Sequence, residues 1–312
     1  MRAARIYAIL LLLLIVAFAG CRTNQVKNSG TQPDGKPGST AQTGKQPSNT
    51  APSLDAEKVN GNLKVHFLDV GQGDSILVQF PDGENMLVDA GSPENGQYVV
   101  SYLEKQGIKK IDYLVATHPH LDHIGGFEKV LKNFETGSVY MPRVTVNTRT
   151  FEDVLLSIEE KGLKIKTAKA GVKIIDRDDL QAGFVAPVDT EYDDTNNYSA
   201  IMRIQYSETA FLLTGDAGTG SETQMLASGV NLKADVLKIG HHGSSHSSSI
   251  RFLAAVSPQY AVISVGAGND YGHPSEKTIT KLEKAGIKVL RTDRLGTIVF
   301  LSDGRIVSRL AA

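Results

Sequence analysis

The sequence predicts an α/β fold in which two similar halves place two sheets face to face, with helices outside. From about residue 62 onward, short β-branched and aromatic runs alternate with amphipathic runs, as strands and helices do in globular domains. A hairpin pattern occurs twice, and residues suited to metal binding follow the ends of predicted strands. Hydrophobic residues make up 41% of the 312-residue chain, which is enough for a substantial core.

Residues 1–20 have the pattern of a signal peptide. Arg2 and Arg5 precede an apolar run from Ile6 to Phe18, which is short for a membrane-spanning helix. Small residues then lead to Cys21, an arrangement that resembles a bacterial lipoprotein signal with a lipidated cysteine. An ordinary secretory signal and an uncleaved anchor are the alternatives. All three interpretations place the rest of the chain outside the cytoplasm, and the first anchors it to the membrane through Cys21.

Residues 21–60 are expected to form the lipidated cysteine and a disordered tether, followed by a folded domain over 61–312. The tether is rich in Pro, Ser, Thr, Asn, Gln and Gly, a composition that cannot offset the entropy of ordering. As a flexible coil it would span roughly 35 Å. Cys21 is the single cysteine, which excludes an internal disulfide and a cysteine-based zinc cluster. A net charge of −1 gives no global attraction to nucleic acid.

The folded domain is predicted to alternate strands and helices along its first half. Three strands come first, at 63–69, 75–80 and 86–89, with a turn at Pro81-Asp82-Gly83. The elements predicted after them are a helix over 97–106, a strand from Ile111, a helix over 127–133, a strand over 139–141, a helix over 151–160 and short strands near 164–168, 172–175 and 183–186.

The second half repeats the hairpin of the first. Residues 75–80 and 86–91 resemble residues 200–206 and 211–218, and each hairpin ends in Asp-Ala-Gly. Chance similarity of two hairpins is the alternative. The elements predicted around and after this repeat are helices over 221–227, 249–256 and 275–286 and strands over 234–239, 260–265, 288–290, 296–301 and 305–308.

The run Thr117-His118-Pro119-His120-Leu121-Asp122-His123 follows an apolar strand and holds three of the eight histidines. Imidazole and carboxylate groups are ligands for zinc, iron and manganese. On extended backbone the side chains of His118 and His120 point to the same side, where they could share one metal ion. The side chains of Asp122 and His123 are directed at a neighbouring position. This arrangement favours two adjacent metals. The alternative is a polar loop with incidental histidines.

Together these landmarks resemble the metallo-β-lactamase superfamily, whose fold is a four-layer αββα sandwich of two similar halves. The loop from His118 to His123 matches the signature of this superfamily. Asp89 matches its structural aspartate and Asp216 matches its bridging carboxylate. His273 resembles its late histidine, which completes the second metal site. The likeness is closer to the extracellular metallo-hydrolase domain of the competence DNA-uptake protein ComEC. That likeness extends over residues 62–308 and rests on Phe67-Leu68-Asp69-Val70-Gly71-Gln72-Gly73-Asp74-Ser75, on Leu237-Lys238 with His241-His242-Gly243-Ser244, on Tyr271-Gly272-His273-Pro274 and on 289–296.

The resemblance implies a site for two divalent metal ions, zinc or manganese. His118, His120 and Asp216 would hold the first ion. The second would be held by Asp122, His123, Asp216 and His273. This chain has no histidine between His123 and His241, where most of the superfamily has one; an Asn-containing run, 193–198, occupies the gap. The first ion would therefore have one nitrogen ligand fewer, unless His241 or His242 supplies it. A site with more oxygen ligands makes manganese an option beside zinc.

The metal site would support hydrolysis of a phosphodiester by a hydroxide that bridges the two ions. Asp122, His241 and His242 are the candidate catalytic residues, since either histidine of that pair can protonate the leaving oxygen or hold a phosphate oxygen. The alternative is that the pair only caps a strand end. Four further residues are predicted to hydrogen-bond to the ligands or to have structural roles: Asp69, Asp74, Asp89 and Asn197.

We therefore expect an extracytoplasmic, lipid-anchored, metal-dependent phosphodiesterase, a DNase of the ComEC type. Its expected partners are DNA or another phosphodiester, and the membrane through Cys21; no obligate protein partner is inferred. One alternative is a small-substrate hydrolase, such as a choline-phosphate esterase of the cell surface, and another is a binding lipoprotein without activity. A β-lactamase or thioesterase is disfavoured because both usually retain the missing histidine.

Overall fold

The computed structural model describes residues 61–310, so the predicted signal peptide, Cys21 and the predicted tether lie outside the described residues. Its strands are numbered in chain order: β1 Leu63–Phe67, β2 Ile76–Gln79, β3 Asn85–Val88, β4 Lys110–Val115, β5 Glu135–Met141, β6 Ile165–Thr167, β7 Lys173–Asp176, β8 Leu180–Phe184, β9 Met202–Tyr206, β10 Thr209–Leu213, β11 Val236–Lys238, β12 Tyr260–Ile263, β13 Lys288–Arg291, β14 Ile298–Ser302 and β15 Val307–Arg309. The α-helices are α1 Gly96–Lys105, α2 Leu121–Ile124, α3 Phe127–Asn133, α4 Arg149–Glu160, α5 Thr219–Ser228, α6 Ile250–Val256, α7 Glu276–Lys284 and α8 Thr292–Leu295.

These strands form two mixed sheets. The first has the order β15-β14-β1-β2-β3-β4-β5-β6, and the second has the order β13-β12-β11-β10-β9-β8-β7. In the first sheet the hairpin β2–β3 continues into three parallel pairs, β3–β4, β4–β5 and β5–β6. In the second sheet the hairpin β9–β10 continues in the same way into β11, β12 and β13. The repeated hairpins of the sequence therefore begin equivalent units in the two halves.

Three apolar clusters separate four layers of secondary structure. The central cluster joins inward-facing residues of the two sheets, such as Phe67 and Phe300 from the first and Phe211 from the second. A second cluster joins the first sheet to helices α1, α3 and α4, and a third joins the second sheet to α5, α6 and α7. Burial of these faces drives the layers together. The predicted αββα sandwich of two similar halves is confirmed.

Local signals explain where several helices begin and end. Ser275, predicted to cap the last long helix, accepts a hydrogen bond at 3.2 Å from the Thr278 N–H, and Gly286 beyond that helix has φ +70°. Thr148 and Ser249 cap α4 and α6 in the same way. The sequence prediction missed the short helices α2 and α8, which have four residues each. Within residues 61–310, every helix is too short or too polar to cross a bilayer.

Candidate metal centre

The candidate residues converge because they follow strands that end at the same side of the sandwich. Strands β3 and β4 lead into segments of the first half, and β10, β11 and β12 lead into segments of the second half. Loops at the carboxyl ends of parallel strands are where α/β folds assemble ligand sites. The residues brought there are Asp89 after β3, His118, His120, Asp122 and His123 after β4, Asp216 after β10, His241 and His242 after β11, and His273 after β12.

His123 is held by a fully buried carboxylate. Its Nδ1 lies 2.7 Å from Asp89 Oδ2, so this nitrogen is the protonated one and its N–H donates a hydrogen bond to the carboxylate. Asp89 also accepts hydrogen bonds from the backbone N–H and the hydroxyl of Thr117, at 2.8 and 2.6 Å. The Nε2 atom of His123 is thereby directed at Asp216, whose Oδ1 is 3.4 Å away. Asp89 thus fixes both the tautomer and the orientation of the ring.

His118 and His120 lie beside this pair. The buried His118 has Nδ1 3.1 Å from the Thr117 hydroxyl, and its Nε2 lies 2.9 Å from His120 Nδ1 and 4.0 Å from Asp216 Oδ2. Burial lowers the pKa of His118 well below its usual range. A neutral imidazole is the form that binds a metal.

His242 also faces the carboxylates. Its Nδ1 donates to the Ser264 carbonyl oxygen at 2.9 Å, and its Nε2 lies 3.3 Å from Asp122 Oδ2 and 3.4 Å from Asp216 Oδ2. His242 therefore lies close to both carboxylates that the sequence prediction assigned to the second metal ion. His241 and His242 have left-handed backbone, with φ of 49° and 50°, a conformation that non-glycine residues adopt at a cost.

A buried ion pair lies behind His242. The Lys238 ammonium, fully buried, lies 3.0 Å from Asp74 Oδ2 and donates to the Ile239 carbonyl at 2.8 Å. Asp74 Oδ1 lies 3.6 Å from His242 Nδ1, which agrees with a supporting position behind the imidazoles. The sequence prediction did not assign Lys238 a role, although a lysine within the apolar strand β11 was a usable signal, because lysine is almost never buried without a partner.

The remaining predicted residues lie around this group. His241 Nε2 is 3.9 Å from Asp216 Oδ2, and the rings of His241 and His273 are 5.4 Å apart. Asn197 Oδ1 accepts from the backbone N–H groups of Gly218 and Ser221, so it holds the segment after Asp216. The described side-chain contact of Asp69 is with the Gly71 N–H, and none of its described contacts is with an imidazole.

The carboxylates govern the protonation of the two best-placed imidazoles. Burial alone would lower the pKa of His123, but Asp216, Asp89 and Asp122 outweigh it and raise this pKa well above its usual range. Burial likewise opposes protonation of His242, yet Asp216 and Asp122 raise its pKa to about 9. The same negative field attracts metal cations, which displace such protons when they bind.

The donor atoms fit divalent metal ions. His123 Nε2, His242 Nε2 and Asp216 Oδ1 are buried, and each is without a hydrogen-bond partner among the described residues. The possible ligand atoms of His118, His123 and Asp216 lie within 4.8 Å of one another, as do those of Asp122, His123 and His242. Buried polar atoms without partners are costly, and a cation bound between these atoms would compensate each of them.

The site opens into a cavity of about 510 Å³. Asp122 and Asp216 lie at its wall together with four histidines. The described lining residues are Gln72, Pro119, His120, Leu121, Asp122, Val146, Thr148, Thr150, Asn196, Asp216, His241, His242, Tyr271 and His273. A substrate can therefore reach the carboxylates from solvent.

Comparison with known proteins decides the family. Residues 68–267 match the model of the metallo-beta-lactamase superfamily. The chain belongs to that superfamily. Its members are generally metal-dependent hydrolases, and the His and Asp clusters of this chain are candidate metal sites of that kind.

Two curated relatives are competence-related proteins. The chain is 33% identical over 260 residues to ComE operon protein 3 of Bacillus subtilis, covering 78% of this chain and 33% of that protein. It is 35% identical over 234 residues to the competence protein ComA of Neisseria gonorrhoeae, covering 74% of this chain and 31% of that protein. The chain thus spans about a third of the length of these relatives.

A solved structure supports the fold. The crystal structure of CmlA, a diiron beta-hydroxylase from Streptomyces venezuelae, has a TM-score of 0.51 and 13% sequence identity to this chain. The match covers 80% of this chain and 54% of CmlA. At this identity the likeness concerns the fold alone.

Proposed function

We propose that this protein is an extracytoplasmic, metal-dependent phosphodiesterase that hydrolyses DNA. The observation that carries the proposal is the convergence, beside one open cavity, of buried imidazole and carboxylate atoms that lack hydrogen-bond partners among the described residues. The similarity to competence-related proteins favours DNA as the substrate. The proposed location rests on the signal-like residues 1–20 and on Cys21 as the lipid attachment site.

Two divalent ions, zinc or manganese, would occupy the centre. His118, His120 and Asp216 would hold one ion, and Asp122, His123 and Asp216 would contribute to the other. The contacts of His242 with both carboxylates favour it over His273 as the remaining ligand of the second ion. When bound, such ions lower the pKa of water and neutralise charge on a phosphate group.

The protein's own groups would position the substrate around these ions. Asp89 holds His123 and Thr117 fixes Asp89, so the ligand shell is oriented before substrate arrives. His241 lies at the cavity wall, and burial lowers its pKa. Its neutral ring can donate one hydrogen bond to a phosphate or leaving oxygen.

The experiment compares four substrates with the purified protein and added Mn²⁺ or Zn²⁺. These are single-stranded DNA, double-stranded DNA, bis-p-nitrophenyl phosphate and p-nitrophenyl phosphorylcholine. We expect DNA cleavage that falls about a hundredfold or more in Asp122→Ala, because that carboxylate is a proposed ligand. Asp176→Ala is the matched control, since Asp176 is exposed and pairs with Lys173 on the surface.

The outcomes separate the candidate functions. If only the choline ester is turned over, the proposed function is that of a choline-phosphate esterase and not of a DNase. Absence of turnover with either metal and every substrate would favour a binding lipoprotein. Equal DNA cleavage by Asp122→Ala and the wild type would show that the activity comes from elsewhere.

A further inference from the structure

Tyr271 presents an aromatic ring to solvent at the wall of the candidate metal centre. Its side chain is 71% exposed, and it lines the same cavity as Asp122 and Asp216. Leu121, 51% exposed, lines this cavity as well. A single exposed apolar residue is ordinary, but two such residues in one cavity with the proposed ligands make that cavity suited to a flat apolar group.

The loop that carries Tyr271 is held in one conformation by Asn269. The Asn269 side-chain amide donates to the carbonyl oxygens of Gly266 and His273, at 2.9 and 2.6 Å. Its carbonyl oxygen accepts from the backbone N–H groups of Tyr271 and His273, at 3.2 and 3.0 Å. Four hydrogen bonds from one side chain fix the loop, so the position of Tyr271 is set before any ligand binds.

A series of rings leads from Tyr271 toward the carboxylates. The Tyr271 and His273 rings are stacked, with an interplanar angle of 22° and centroids 5.9 Å apart. His273 in turn contacts the His241 ring, and His241 approaches Asp216. One face of the Tyr271 ring is therefore directed at His273, and its high exposure leaves the ring open to a ligand.

The charges in the cavity restrict how a nucleic acid can be held. Among the described residues that line it, none is Lys or Arg. Lys281, on the nearby helix α7, donates to the carbonyl oxygens of Ser247 and Ser248, so its ammonium group is already engaged. Protein cations at the cavity wall therefore cannot supply the phosphate contacts that usually dominate affinity. The faces of the bases remain as a second source of affinity.

We propose that Tyr271 is a stacking site for a nucleobase of the substrate and makes the protein selective for single-stranded nucleic acid. This inference rests on the proposed function. Bases within a duplex are already stacked on one another, whereas an unpaired base can stack on an exposed aromatic ring. The site would therefore act on single strands or frayed ends in preference to intact duplex.

The kinetic experiment uses the wild type, Tyr271→Phe, Tyr271→Leu and Ile250→Ala with Mn²⁺. Ile250 is the exposure-matched control, because it is 73% exposed and lies outside the residues that line the cavity. We expect kcat/KM for a single-stranded oligonucleotide to fall about tenfold in Tyr271→Leu, mainly through KM, and less than about twofold in Tyr271→Phe and Ile250→Ala. On an abasic strand of the same length, the wild type and Tyr271→Leu should be equal.

A binding measurement tests whether a base stacks on Tyr271 independently of turnover. A single strand containing 2-aminopurine is titrated with each protein in EDTA, where stacking on an aromatic ring quenches the fluorescence of this base. The wild type and Tyr271→Phe should quench it, and Tyr271→Leu should not. Equal quenching by Tyr271→Leu and the wild type would overturn the stacking site even if DNA is cleaved. Absence of cleavage with normal quenching would overturn the proposed function alone.

Discussion

His66 lies between the first sheet and helix α1 with both ring nitrogens hydrogen-bonded to uncharged groups. Nδ1 is 2.9 Å from the Tyr102 hydroxyl and Nε2 is 3.1 Å from Gln79 Oε1. Since the amide oxygen can only accept, Nε2 carries the proton and Nδ1 accepts from the tyrosine. Burial lowers the pKa of His66 to about 4, with a further small effect of Lys64. Its neutral form is therefore the one that the fold stabilises.

This histidine makes the free energy of unfolding depend on pH. The unfolded chain binds a proton at His66 below its ordinary pKa of about 6.5, whereas the folded chain does so only below about 4. The stabilisation that comes from keeping His66 neutral is therefore complete above about pH 6.5. As the pH falls to about 4, the free energy of unfolding decreases by about 3 kcal/mol. Urea unfolding between pH 7 and 4 should show a smaller loss in His66→Gln than in the wild type.

The exposed His246 provides the control for this measurement. His246→Gln shows how far the substitution of a histidine by glutamine changes the curve by itself. Parallel curves for His66→Gln and the wild type would contradict a buried neutral His66.

Individual residues also show where sequence reasoning stopped. The spacing of His118, His120, Asp122 and His123 was enough to predict a metal site, because all four lie on one short loop. The approach of His242 to Asp216 was not predictable, since it depends on the left-handed backbone after β11 that turns this side chain toward the carboxylate. Asp69 and Asp74 looked equivalent around one turn, yet only Asp74 is described as approaching an imidazole and a buried lysine.

At the level of elements, the turn after β1 supports the histidine loop. The Asp74 N–H donates to the Asp122 carbonyl oxygen at 3.2 Å, and Gly73 packs against the same residue with φ +131°. A Cβ at Gly73 would lie 2.3 Å from the Asp122 carbonyl oxygen, a distance that backbone atoms cannot tolerate. This close approach explains why the turn needs glycine at that position.

The two glycines of this turn form a matched pair for testing its role. Gly71 also has positive φ, +69°, but a Cβ there would meet nothing within 4 Å. Gly71→Ala should lose about 1–2 kcal/mol of stability through backbone strain. Gly73→Ala should lose more, because its Cβ would also meet the Asp122 carbonyl oxygen. Gly73→Ala should in addition weaken Mn²⁺ binding by about tenfold or more, because it displaces Asp122. Isothermal titration calorimetry measures the affinity, and equal affinities for the two variants would contradict this role of the turn.

Most strands and longer helices could be predicted because their apolar periodicity matches the faces that the three clusters bury. The short helices α2 and α8 could not, since four residues carry too little periodicity and form in response to tertiary contacts. Helix α2 contains Asp122 and His123, so an element invisible in the sequence pattern sets the direction of two proposed ligands.

At the scale of the whole molecule, the repeated halves bring the chemistry together. Each half contributes a hairpin followed by parallel strands, and the loops after those strands meet at one side of the sandwich. The first half supplies His118, His120, Asp122 and His123, and the second supplies Asp216 and His242. Neither half could complete the proposed dinuclear centre alone. The candidate centre therefore depends on both halves of the sandwich being folded and packed together.

Metal content tests the central claim most directly. The purified protein is incubated with Zn²⁺ or Mn²⁺, freed of excess ion by gel filtration and analysed by inductively coupled plasma mass spectrometry. We expect about two ions per chain in the wild type and a clear reduction in Asp216→Asn, because Asp216 is the ligand shared by both ions. A wild-type protein that retains no metal after this treatment would contradict the dinuclear centre and the hydrolysis proposed from it.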